Sequence, residues 1–205
     1  MSSFTRIQLE KWIGKVGVRA DKVLDVGGSQ LPIRGRTRNW MVKDYKILDL
    51  PHPHQDKKRP DYEWDINREI IEKKHSSSNV LNLKDDRNTF DIIFCLEVME
   101  YIWNPYMALR NMSNLIKKGG LLYISFSFIY PHHNPIGEDC LRYTRWGVIK
   151  LLGETDFKIL NMVPRELNRK RSLLELYANE QMRPSKDFKG HDEVGYLVEA
   201  KRLYV

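Results

Sequence analysis

Lys22-Val23-Leu24-Asp25-Val26-Gly27-Gly28 is a short apolar run that closes on two glycines. A strand buried on both faces of a parallel sheet is a near-continuous aliphatic run, and a glycine pair after it marks a tight turn. The segment therefore predicts a first core strand feeding a turn whose main chain lies open to close approach.

Working outward, Ile7, Leu9, Trp12, Ile13 and Val16 fall near one helical face, so a leading helix is expected within residues 1–20, from Phe4 to Val16. Downstream, Tyr45 to Asp49 and Asp61 to Asp65 read as strands that each end in a carboxylate. Phe90 to Cys95 is the strongest strand signal. Asn104-Pro105 should open a helix that reaches about Lys117, where Lys118-Gly119-Gly120 stops it. Leu121 to Phe128 reads as a central strand, Thr144 to Leu152 and Ser172 to Ala178 as helices, and Phe157 to Val163 and Gly195 to Arg202 as closing strands. Alternation of strand and helix argues for an α/β fold whose parallel strands are joined by helical crossovers into a doubly wound sheet.

A length of 205 residues suits a single domain over 1–205. A hydrophobic share of 41% with 11% aromatics is enough to fill one core, which excludes the disordered class. No stretch approaches the ~20 apolar residues of a membrane span, and MSSFTRIQLEKW lacks the apolar run of a secretory signal, so a cytoplasmic protein is expected. Cys95 and Cys140 have no metal-ligand spacing; Cys95 reads as a buried hydrophobe. His52 and His54 flank a proline without further ligands in order, so no metal is expected. The net charge of +7 is spread over Arg34 to Arg38, Lys57 to Arg59 and Arg165 to Arg171, which read as solvated surface because no aromatics interleave them.

In open α/β sheets, ligands sit beyond the carboxyl ends of the strands where strand order reverses. Three acids fall at such ends. Asp25 precedes the glycine pair, Asp49 stands where a carboxylate can accept both hydroxyls of a ribose, and Asp65 stands where an acid can meet an adenine amine. Together they describe a nucleoside pocket.

KVLDVGG at Lys22 to Gly28, Asp49, Asp65, FDIIFCLEVMEY at Phe90 to Tyr101 and LIKKGGLLYIS at Leu115 to Ser125 resemble the successive motifs of the class I, Rossmann-like methyltransferases. The resemblance implies a seven-stranded, mostly parallel sheet with helices on both faces and an antiparallel final hairpin, and S-adenosylmethionine as cofactor. It implies that Asp25, Gly27 and Gly28 lie beside the methionine and ribose part of the cofactor, with Asp49, followed by Leu50, at the ribose. Asp65 and Ile66 match the pair at the adenine, and Leu96 and Glu97 the turn beneath the methyl. Ser29 and Leu31 stand where the family often has glycine, and Pro32 with Gly35 argues against a long helix after the turn. Ser29 and Gln30 either bond the cofactor's amino-acid end or serve the turn alone. Glu100-Tyr101 replaces the family's common Glu-His, which removes an imidazole from the neighbourhood of the methyl.

Residues 130–143 resemble the YP-x-H…P-x-D-x-x-RYT segment of one branch of small methyltransferases, which tends to cover the active site. His132 and His133 are candidate general bases, or hold this loop by hydrogen bonding. Asp139 and Arg142 either form an ion pair that fixes the loop or take part in catalysis, while Tyr130 and Tyr143 either line the acceptor pocket or pack its rim. Asn104-Pro105-Tyr106 lacks the second proline of the tetrapeptide used by base-methylating enzymes, and a helix start explains it. A small molecule or sugar unit is the expected acceptor, methylated on oxygen or nitrogen. Methylation of RNA or DNA is an alternative favoured only by charge, and a third is a catalytically inactive S-adenosylmethionine-binding protein.

Overall fold

A computed structural model describes residues 4–51, 59–72, 81–130, 137–166 and 193–204. In chain order the elements are α1 (Phe4–Ile13), β1 (Gly17–Val26), β2 (Arg38–Asp49), β3 (Tyr62–Glu63), α2 (Leu83–Asp86), β4 (Phe90–Cys95), a 3-10 turn (Met99–Tyr101), α3 (Pro105–Leu115), β5 (Ile116–Ser127), α4 (Arg145–Gly153), β6 (Phe157–Glu166) and β7 (Glu193–Arg202). The sheet has seven strands in the order β3-β2-β1-β4-β5-β7-β6. β3 to β5 are parallel, and β7 runs antiparallel to both β5 and β6. The chain builds outward from β1 to β3 and then returns to lay β4 on the other side of β1. The strand order therefore reverses between β1 and β4, which places a crevice at their carboxyl ends.

Side chains alternate between two apolar layers, as the two-residue period of a strand requires. Leu24, Ile93, Leu122, Ile124 and Phe126 pack under α3 and α4, against Leu109, Met112, Val148 and Leu152. Val23, Ile92, Phe94, Tyr123 and Leu197 face the other way, against Leu9 and Ile13 of α1 and Ile33 of the turn after β1. Phe94 and Tyr123 stack there with ring centroids 5.1 Å apart. Helices thus cover both faces.

Several boundaries differ from the sequence reading. The leading helix stops at Ile13, and Gly17 already begins β1, so residues 1–20 are not one helix. β1 and β2 start earlier than their apolar cores, at Gly17 and Arg38. Their first residues pair only with each other, since β4 joins β1 at Val23, and there charged residues are interleaved with Val18, Ala20, Trp40 and Val42, which pack on the α1 side. β3 is shorter than Asp61 to Asp65. α3 is capped by Asn104, whose side chain accepts from the Met107 N–H at 3.3 Å, and Pro105 opens its first turn. It ends at Leu115 rather than Lys117, and Lys118-Gly119-Gly120 lies inside β5, with Gly119 at φ 77°. α4 is capped by Thr144 through the Gly147 N–H at 3.1 Å. The expected helix over Ser172 to Ala178 lies outside the described residues.

Candidate active site

Residues 27–37 connect β1 to β2 without a helix. Asp25 organises this segment from below. Its buried carboxylate accepts the Ile33 N–H at 2.7 Å and the Tyr45 hydroxyl at 2.6 Å. Burial pushes Asp25 up to about 6, against the lowering effect of these bonds. Gly28 lies so close to the same carboxylate that a Cβ would overlap it. Gly27 sits at φ 74°, where a Cβ would overlap the Val98 side chain. Both glycines are therefore required by close approach: one to the acid beneath it, one to the turn after β4.

Asp49 ends β2. Its carboxylate accepts the Ser29 N–H at 3.1 Å and its own neighbour's, Leu50, at 2.9 Å. The glycine turn and the second strand end are thus tied together. The Ser29 hydroxyl is fully buried and finds no partner among the described residues.

Asp65 follows β3 and accepts from the backbone and side-chain nitrogens of Asn67, at 3.0 and 2.8 Å, with Arg68 3.5 Å away. The segment is pinned from α3. Asn111, buried, donates to the carbonyls of Ile66 at 2.9 Å and Arg68 at 2.8 Å and accepts the Ile70 N–H at 3.1 Å. Ile66 is buried beside it. Because β3, β2 and β1 are neighbours in the sheet, Asp65, Asp49 and Asp25 stand at or just beyond adjacent strand ends.

Leu96 and Glu97 form the turn after β4. Glu97 adopts φ 58°, an uncommon conformation for a residue with a side chain. Its N–H donates to Ser125 Oγ at 2.7 Å, and that hydroxyl donates to Glu97 Oε1 at 3.0 Å. Arg165 forks onto the same carboxylate at 2.6 and 3.2 Å. Arg165 had read as solvated surface, yet it is only 3% exposed. The register explains this: Ser127, Gly195 and Arg165 stand side by side on β5, β7 and β6, and the arginine runs over Gly195 toward the end of β4.

Three residues beyond Glu97, Glu100 is 1% exposed and pushed up to about 7, first by burial and then by the Glu97 charge. Its backbone carbonyl accepts the Cys140 N–H at 2.7 Å and the Leu141 N–H at 3.1 Å. The described part of the 130–143 loop is therefore docked on the turn after β4. Asp139 pairs with Arg142, which also donates to the Tyr130 carbonyl at 3.3 Å. Tyr143 donates to the Met99 carbonyl at 2.8 Å and packs edge-on against Phe126. His132 and His133 lie outside the described residues. Among the described residues, no group of three or more His, Cys, Asp or Glu is placed to hold a metal.

Sequence reasoning missed Asn67, Asn111 and Arg165, and treated Glu100 only as the neighbour of a missing imidazole. Asparagines are unremarkable in sequence, and nothing local signals a partner 68 residues away.

Residues 52–124 match the family model described as a methyltransferase domain. The match begins after Asp49, downstream of the atypical glycine turn. A ubiquinone biosynthesis O-methyltransferase of Glaesserella parasuis serovar 5 (strain SH0165) is 37% identical over 71 residues, 27% of this chain and 30% of that one. A provisionally assigned methyltransferase of Bacillus halodurans C-125 superposes with a TM-score of 0.61 at 14% identity, over 96% of this chain and 98% of that one. The fold is that of the Rossmann-like methyltransferases. An S-adenosylmethionine-dependent methyltransferase of Mesorhizobium loti shares the methyltransferase fold with a TM-score of 0.55 at 12% identity, over 98% of this chain and 99% of that one. Among the described residues, no helix of this methyltransferase-fold chain is long and apolar enough to cross a membrane.

Proposed function

We propose that the chain is an S-adenosylmethionine-dependent methyltransferase that acts on an oxygen or nitrogen of a small molecule or sugar unit. The observation that carries this reading is the bond from the Ser29 N–H to Asp49, which fixes a glycine turn and a strand-end carboxylate at the switch point of a methyltransferase-type sheet.

The residues fit the cofactor. Gly27, Gly28 and Ser29 suit its methionine and ribose part, at the turn that Asp49 fixes through the Ser29 N–H. Each Asp49 oxygen accepts one backbone N–H and keeps capacity for a ribose hydroxyl, beside Leu50. Asp65 and Ile66 suit the adenine, and Leu96 and Glu97 the sulfur end. Bound there, S-adenosylmethionine supplies an electrophilic methyl group on a positively charged sulfur. The protein's share is alignment, and a base where the acceptor must lose a proton. His132 and His133 are the candidates for that base. Tyr130 and Asp139 belong to the loop that borders the acceptor side.

Calorimetry with S-adenosylhomocysteine tests the reading. Wild type binds, and Asp49→Ala binds at least about tenfold more weakly, the scale of a lost charge-assisted hydrogen bond. Equal affinity removes the ribose role from Asp49, and absence of heat in wild type removes the cofactor.

A further inference from the structure

The chain places one carboxylate at the carboxyl end of β4 with unusual firmness. Glu97 stands at φ 58°, and its carboxylate and N–H are held by Ser125 and by the two-pronged bond from Arg165. Its side chain keeps 23% of its surface exposed, whereas that of Arg165 keeps 3%, so the acid is the accessible member of the pair and the guanidinium the buried one. A left-handed residue other than glycine, asparagine or aspartate is uncommon and costs free energy, and Glu97 is the only such residue among the described ones. Arg165 Cδ runs over Gly195, at ordinary contact distance from where a Cβ would stand, while the Phe126 carbonyl is what leaves no room for a side chain there. On the far side of Arg165, Gln8 of α1 bonds both backbone groups of Glu166, at 2.7 and 2.9 Å, which locks the end of β6 that carries the arginine.

We propose that Glu97 is the residue by which this site favours a cationic donor over its neutral demethylated product, with Arg165 and Ser125 as the positioning residues that hold its carboxylate. This rests on the reading of the crevice as an S-adenosylmethionine site. S-adenosylmethionine carries a sulfonium charge that S-adenosylhomocysteine lacks, while the two share every other binding group. A fixed carboxylate beside that sulfur acts on one ligand and leaves the other nearly untouched. Arg165 is the buried member of the pair, so its charge offsets the attraction only in part.

The test is calorimetry with both ligands on wild type, Glu97→Gln, Glu97→Asp and Arg165→Lys. Glu97→Gln keeps the acceptor oxygen and removes the charge. It should weaken S-adenosylmethionine at least about fivefold and change S-adenosylhomocysteine by less than about twofold. Arg165→Lys retains the ion pair and should keep the ratio of the two affinities near wild type. Should Glu97→Gln fail to fold, Glu97→Asp carries the test, because withdrawing the carboxylate by one methylene should lower the ratio about two- to threefold. Parallel loss of both affinities, or an unchanged ratio, assigns Glu97 to structure and overturns the inference while leaving the cofactor reading intact. Failure of wild type to bind either ligand overturns both.

Discussion

Two buried acids set the pH behaviour of single residues. Burial holds Asp25 up to about 6 and Glu100 up to about 7, against ordinary values of 3.8 and 4.5. A raised carboxyl binds its proton more tightly folded than unfolded, so the stability it contributes is complete below the unfolded value and is lost as pH rises through the folded one. For Glu100 the window runs from about 4.5 to about 7. Glu100→Gln replaces the protonated acid with a neutral amide. The variant should melt close to wild type at pH 5 and several degrees higher at pH 8, a difference on the order of a few kcal/mol. Equal melting curves at pH 8 would show that Glu100 gains as much from its surroundings when ionised as burial takes away. Asp25, Asp49 and the glycine pair were legible because strand ends announce themselves locally. Arg165 was not, because its burial depends on Ser127 and Gly195 from two other strands.

Elements carry the next level of control, through side chains that act on segments distant in sequence. Asn111 of α3 satisfies three backbone groups of residues 66–70, the stretch that follows Asp65. Asn104, besides capping α3, presents its own N–H to Asn67 Oδ1 at 2.9 Å. Asn111→Ala takes the partner from the Ile66 carbonyl and the Ile70 N–H in a buried setting, each worth roughly 1 kcal/mol or more, while the Arg68 carbonyl keeps the Trp64 indole N–H at 3.2 Å. Urea unfolding should therefore show a loss of about 2 kcal/mol, and affinity for S-adenosylhomocysteine should fall with it if the segment borders the adenine. A loss below about 1 kcal/mol would mean that water replaces the amide. The strands themselves were legible at their apolar centres. Their charged starts, Gly17 to Asp21 and Arg38 to Asp44, were missed because a two-stranded extension outside the sheet body needs no hydrophobic run. The end of α3 was misplaced for a related reason. Glycine usually stops a helix, but Gly119 and Gly120 here let the start of β5 pass Asp91 and Tyr204 closely.

At the scale of the whole molecule, charge and ligand binding point to different partners. The excess of 34 basic over 27 acidic residues gives +7, yet Arg36, Arg59, Lys117, Arg142, Arg145 and Arg165 are each paired with an acid of this chain. Each such pair leaves one cation fewer for a phosphate, and the basic clusters of the sequence carry no interleaved aromatics on which bases could stack. Binding to a mixed-sequence oligonucleotide should accordingly be weak and change little between 50 and about 200 mM salt; a steep fall would favour the nucleic-acid alternative. A ligand held by loops from β1, β2, β3 and β4 must instead stabilise the native state as a whole, because unfolding any one strand end releases it. At a hundred times its dissociation constant S-adenosylhomocysteine adds about 2.7 kcal/mol, which for a chain of this length raises the melting point by roughly 5–10 °C. Asp49→Ala should require at least about tenfold more ligand for the same rise. A rise of equal size in wild type and variant would mean that the ligand grips the fold somewhere other than at the joined ends of β1 and β2.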